Sequence, residues 1–201
     1  MSSEYGDDFV RSLFWPQSQM FKGAMAMTRA TMTAFGASTI DRTDRTGRSR
    51  DRPTVEAGDD RPAWETEQTV ADPTDVGVGD EVQFTKPIGD GDVRRFAAAS
   101  GDTNPIHLDD DAASKTRFGE RIAHGTLVGG LISAALARLP GTVVYLSQDL
   151  EFLAPVDLES ELTATCRIVE DLGDGRFRLS TVVTKDGDTC IDGEAVVLIE
   201  G

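Results

Sequence analysis

The stretch from Val143 to the C-terminus constrains the fold more than any other part of the chain. Four runs there are rich in β-branched and aliphatic residues: 143–153, 161–170, 176–185 and 189–199. Gly173-Asp174-Gly175 and Asp186-Gly187-Asp188 separate the last three, and such Gly/Asp triplets favour the left-handed backbone of tight hairpins. Three long strands joined this way must lie side by side and antiparallel. Upstream, Glu81–Ile88 reads as one more strand. Between them lies one apolar, glycine-tolerant segment, 126–139, opened by His124-Gly125-Thr126 and stopped by Pro140-Gly141, which reads as a helix. A mostly antiparallel sheet with one long helix against it is the expected α+β architecture.

The rest divides into two zones. Residues 1–36 carry all five methionines, and Phe21, Ala24, Met25, Thr28, Met32 and Phe35 recur at helical steps, giving an amphipathic helical segment. Residues 37–75 are Thr, Asp, Arg, Gly and Pro with almost no aliphatics. They bury too little apolar surface to offset ordering entropy and read as a disordered acidic and polar linker. The folded domain is therefore expected at 76–201.

Charge narrows the partners. The net charge is −15, and only Lys22, Lys86, Lys115 and Lys185 are lysines against 16 arginines. Phosphate backbones need clustered cations, so nucleic acid is a poor partner. Short carboxylates with few lysines suit a salt-rich cytoplasm, and a halophilic source is expected. No apolar run approaches the ~20 residues of a membrane span, and the N-terminus has no secretory pattern, so a cytoplasmic protein is expected. Cys166 and Cys190 lie in alternating apolar runs without CxxC spacing and read as buried thiols. No HExxH, Cys/His cluster or GxGxxG is present, so neither a metal nor a cofactor is expected. Asp109-Asp110-Asp111 lacks the remaining calcium-loop ligands and reads as a helix cap.

The only histidines, His107 and His124, fall in the loop-rich middle. A short helix with Val93, Phe96 and Ala97 on its apolar face, capped by Asp90 or Asp92, ends at Gly101. Asp102 and His107 then stand five apart, with Pro105 stiffening the loop between them. A carboxylate and an imidazole aimed at one small volume suit water activation. A helix end, an Asx-turn and a backbone-satisfied histidine explain the same residues, and spacing alone leaves both readings open.

Residues 96–113, FAAASGDTNPIHLDDDAA, resemble the motif of the MaoC-like (R)-specific enoyl-CoA hydratases. The resemblance continues through Arg121-Ile122-Ala123-His124-Gly125, the following helix and the later strands, and stops short of residues 1–75. It implies a hot-dog fold, an antiparallel sheet wrapped around a central helix, and homodimers joined by sheet edges. It implies Asp102 and His107 as the catalytic pair, supported by Asn104. Gly125, at the start of the central helix, would stabilise the thioester oxyanion, while His124 fixes the loop or touches substrate. Ser133 matches a polar helix position near the catalytic Asp, and Leu136, one turn on, would line the acyl tunnel. Arg117, Arg121 and Lys115 are candidates for the CoA phosphates. The implied reaction is reversible syn hydration of trans-2-enoyl-CoA to (R)-3-hydroxyacyl-CoA, feeding polyhydroxyalkanoate synthesis or fatty-acid metabolism. Residues 1–36 would contact a granule or protein surface. A carrier-protein dehydratase, a thioesterase and a non-catalytic thioester-binding or granule-associated protein remain alternatives.

Overall fold

The computed structural model describes residues 55–59 and 61–201. Six strands form one sheet: β1 (Glu65–Gln68), β2 (Glu81–Ile88), β3 (Thr142–Phe152), β4 (Ser160–Gly173), β5 (Arg176–Lys185) and β6 (Asp188–Glu200). Their order is β1-β2-β4-β5-β6-β3, and every neighbouring pair is antiparallel. Strict alternation drives the central strands. Leu162, Ala164, Cys166 and Ile168 of β4, Phe177, Leu179 and Val183 of β5, and Ala195, Val197 and Ile199 of β6 all face one buried side. The expected turns close the hairpins, with Asp174 and Asp186 at φ 53° and 52° beside glycines of positive φ.

Four helices lie between β2 and β3: α1 (Asp90–Ser100), α2 (Pro105–Leu108), α3 (Asp110–Ala113) and α4 (Gly125–Leu136). Helix α4 buries Val128, Leu131, Ile132, Ala135 and Leu136 and packs against β2, β3, β4 and β5. The sheet curls around it, and this is a hot-dog fold. Both thiols are free and buried. Burial, reinforced by Glu81, pushes the Cys166 thiol up to about 12, so it stays protonated and inert.

The caps differ in detail from expectation. Gly89, rather than an aspartate, is the N-cap residue of α1. Asp92 reaches back to accept from its N–H at 3.3 Å, and Glu159 accepts from the N–H of Asp90 at 3.0 Å.

The linker expectation for 37–75 needs correction over its described C-terminal part. Strand β1 lies inside it and pairs with β2 from Glu65↔Thr85 to Gln68↔Val82. All four β1 side chains are exposed, so backbone hydrogen bonds order the strand without any apolar run. Two flanking residues anchor it: Trp64 meets Phe84 edge-to-face at 5.7 Å, and Val70 is buried. The expectations for 1–36 and 37–54 lie outside the described residues.

Candidate active site

The Asp102–His107 loop is held by short-range bonds from side chains to backbone. Gly101 ends α1 at φ 80°, and its N–H donates to Ala97 O at 2.9 Å. Ser100 Oγ donates to Phe96 O and accepts from Asp102 N–H at 3.2 Å. Asp102 Oδ1 accepts from Asn104 N–H at 3.2 Å, forming an Asx-turn. Asn104 then caps α2 by accepting from Ile106 N–H at 3.3 Å, with Pro105 at the first helical position. Asn104 therefore acts as the cap of the helix that carries His107. It is absent from the lining of the cleft described below and acts on the pair through these bonds alone.

His107 is buried, and its Nδ1–H donates to Ile122 O at 2.8 Å. That bond fixes the tautomer and leaves Nε2 as a lone-pair acceptor. His124, the N-cap residue of α4, donates from Nε2–H to the backbone carbonyl of Asp102 at 3.1 Å. Its ring lies between Phe96, with centroids 4.9 Å apart, and His107, with centroids 3.9 Å apart. One ligand atom from each of Asp102, His107 and His124 lies within 4.8 Å of the other two. The helix end and the Asx-turn both exist, and they bring the acid and the imidazole close together.

These groups border a cleft of about 460 Å³. Gly125 and Thr126 bring the N-terminus of α4 to it, where unpaired N–H groups and the helix dipole favour negative charge. A Cβ on Gly125 would stand 2.8 Å from Phe152 Cε1, so glycine admits this aromatic ring against the helix end. Phe118, Phe152, Leu153, Pro155, Val156 and Ile191 form much of the apolar wall. The sequence reading missed them. The only available signal was the segment Phe152-Leu153-Ala154-Pro155-Val156, too apolar for an ordinary loop, with Phe152 and Leu153 more than half exposed.

Four further expected residues lie outside the cleft. Ser133 is exposed and Leu136 is in the core, and neither lines the cleft. At ~1.5 Å rise per residue, Ser133 sits roughly 12 Å along α4 from Gly125, and Leu136 shares the buried stripe of Ile132 and Val128. Arg121 is bound to Asp90 at 2.7 Å and Asp110 at 2.6 Å, tying α1 to α3. Hydrogen bonds from Arg94 and Arg121 lower the Asp90 carboxyl, and those to Asp90 and Asp110 raise Arg121. Arg117 does line the cleft, with its guanidinium 4.8 Å from the Phe118 ring centroid. Lys115 is exposed and outside the lining. Asp109 caps α3, accepting from Ala112 N–H at 3.0 Å, as expected of the aspartate run.

A family model described as "MaoC like domain" matches residues 67–189. The chain belongs to the MaoC-like domain family. This MaoC-like chain is 40% identical over 128 residues to an (R)-specific enoyl-CoA hydratase of Rhodospirillum rubrum, covering 62% of itself and 89% of that relative. It is 41% identical over 128 residues to a 3-hydroxybutyryl-CoA dehydratase of Methylorubrum extorquens, covering 62% of itself and 82% of that relative. Among solved structures it resembles the (R)-hydratase from A. caviae involved in PHA biosynthesis, with TM-score 0.61 and 36% identity over 63% of this chain and 98% of the other. It also resembles the unliganded R-hydratase PhaJ1 from Pseudomonas aeruginosa, with TM-score 0.60 and 40% identity over 67% of this chain and 88% of the other.

Proposed function

We propose that this MaoC-like domain is an (R)-specific enoyl-CoA hydratase. The observation that carries the reading is that Asp102, His107 and the N-terminus of α4 at Gly125 line one cleft, with His107 Nδ1 committed to Ile122 O. Relatives named as hydratases and dehydratases of CoA thioesters support it. Asp102 and His107 hold one water. Asp102 takes its proton as the oxygen bonds to C3 of the enoyl thioester, and the electron pair moves to the thioester oxygen. The Gly125 N–H and the helix dipole stabilise that oxygen. The Asp102–His107 pair then delivers a proton to C2 on the same face, giving (R)-3-hydroxyacyl-CoA. The reaction balances with water and substrate alone, so the reading invokes no resident metal or redox cofactor. Arg117 at the cleft is the cation best placed to meet a CoA phosphate.

Strand β3 supports homodimer formation. It is an edge strand with a bulge between Tyr145 and Ser147, and it exposes Val144, Tyr145 and Leu146. A second copy paired there would cover them. Supply of a polyhydroxyalkanoate synthase is a role consistent with the similar (R)-hydratase from A. caviae, which is involved in PHA biosynthesis. A cytoplasmic location, at a granule surface where residues 1–36 make the contact, completes this reading. Among the described residues no helix is long and apolar enough to cross a membrane. Loss of granule localisation on deleting residues 1–54 tests the granule contact, and unchanged localisation removes it. The acidic, lysine-poor composition fits a salt-rich cell. Transfer to dilute buffer is expected to lower activity or structure, because unscreened carboxylates repel.

The deciding experiment is hydration of crotonyl-CoA in molar KCl with chiral analysis of the product. (R)-3-hydroxybutyryl-CoA is expected. No hydration, or the (S) product, overturns the assignment. Turnover of enoyl groups only on a carrier protein would move it to the carrier-protein dehydratases, and release of free thiol to the thioesterases.

A further inference from the structure

The imidazole of His107 is oriented by a carbonyl that belongs to no helix and to none of the six strands. Its Nδ1–H donates to Ile122 O at 2.8 Å, and Ile122 and Ala123 lie between α3 and α4. This short mount is bonded on one side to α2 and on the other to the β3–β4 connector, residues 153–159. Towards α2, Ile122 N–H donates to Ile106 O at 3.3 Å. Towards the connector, Ile122 bridges Asp157 in antiparallel register, and Ala123 N–H donates to Val156 O at 2.7 Å. The connector bond is the shorter, so the place of the connector decides where the Ile122 carbonyl points.

Backbone bonds fix the connector at its two ends. Leu153 and Ala154 N–H donate to Cys190 O at 2.9 and 3.3 Å, and Glu159 N–H donates to Ile88 O at 2.8 Å. Glu159 adopts a left-handed φ of 64°, which costs a non-glycine residue energy, and its carboxylate accepts from Asp90 N–H. The middle has a different anchor. From Leu153 to Leu158 the side chains are Leu, Ala, Pro, Val, Asp and Leu, so Asp157 alone can form a side-chain hydrogen bond. Its Oδ2 accepts from Nζ of Lys185, the last residue of β5, at 2.5 Å. That bond raises the Lys185 ammonium, which stays charged.

We infer that the Asp157–Lys185 ion pair is a positioning device for His107. It ties the middle of the connector to the sheet, and through the Ile122 bridge it holds the carbonyl that orients the imidazole. Neither residue lines the cleft, so neither touches substrate. The two side chains are 39% and 27% exposed, and such a pair adds little to global stability. Its effect falls on geometry, to which a reacting pair is far more sensitive than folding is. The consequence for rate rests on the hydratase reading; the orientation of the ring does not.

The test uses the full-length chain labelled with nitrogen-15. It has only two histidines, so their ring signals are readily told apart. In the parent, His107 is expected as the Nδ1–H tautomer. Lys185→Gln and Asp157→Ala are each expected to move its ring nitrogens toward the average of the two tautomers. Each should also lower kcat on crotonyl-CoA about 10-fold, with a smaller change in KM and a melting temperature near the parent's. The double variant should be no slower than the slower single one, because both remove the same interaction. Lys185→Arg keeps a charged donor and should restore ring signals and rate. Arg178→Gln, which breaks the exposed pair with Glu170, should change neither. His107 signals unmoved by both single variants, or a rate loss matched by a fall in melting temperature, overturn the inference. Moved signals with undiminished hydration, or with no hydration even in the parent, would sink the hydratase reading and leave the mount standing.

Discussion

The β4–β5–β6 sheet and the segment from Ser100 to Gly125 are built on opposite principles. The sheet repeats one device, alternation closed by tight turns, over strands of 14, 10 and 13 residues. The site segment contains only two helices of four residues each, and side chains bonded to nearby backbone hold it: Ser100, Asp102, Asn104 and Asp109. Sheet stability is spread over many apolar contacts, whereas the site depends on a few single hydrogen bonds. Substitutions in the first region should therefore cost mainly stability, and in the second mainly activity.

The sharpest break of this contrast lies at the reactive pair. Asp102→Ala and His107→Ala are each expected to lower kcat by ~10²-fold or more. The exposed Asp102 variant should keep the melting temperature of the parent. Near-parental rates in either variant would show that the pair is wrongly chosen. In the sheet, Gly193→Ala should act in the other direction. A Cβ there would stand 2.0 Å from Asp149 O of the neighbouring strand β3. A loss on the order of 3 kcal/mol is expected by denaturant melting, with the active-site loop chemically intact. Asn104→Ala probes the boundary. Loss of the α2 cap is expected to cost ~1 kcal/mol, and kcat should fall more than KM changes because His107 loses its mount.

The smallest effect concerns acid stability. Burial raises the Asp92 carboxyl, but the hydrogen bond from Arg95, the charge of Lys86 and the Gly89 N–H outweigh it, and the net value is lowered. A lowered carboxyl stabilises the fold above its unfolded value, and that contribution is lost as pH falls through the folded one. From ~pH 5 to ~pH 3 the parent should lose more of its thermal midpoint than Asp92→Asn. Equal slopes would mean that the Asp92 cluster is not linked to folding.

Much of the sheet was legible because its rules are local. The runs at 143–153, 161–170, 176–185 and 189–199 became β3 to β6 within a few residues, and both Gly/Asp turns formed where expected. The short rigid loop between Asp102 and His107 was equally legible. What was not legible depends on partners distant in sequence. Nothing in 65–68, four exposed polar residues, announces a strand; β2 makes it one by offering a free edge. The phase of α4 hid Ser133 and Leu136 from the cleft, and two carboxylates from other helices captured Arg121.

Composition and spacing by themselves determined the antiparallel sheet and the single long helix, and set one acid and one imidazole five residues apart, since periodicity and turn chemistry act over a few residues. Only the folded chain decided that β3 crosses to the far edge beside β6, that 152–156 walls the cleft, and that His124 reaches back to Asp102 while its other nitrogen is left bare. Those outcomes turn on which surfaces meet, and a meeting is a property of two segments that neither segment encodes alone.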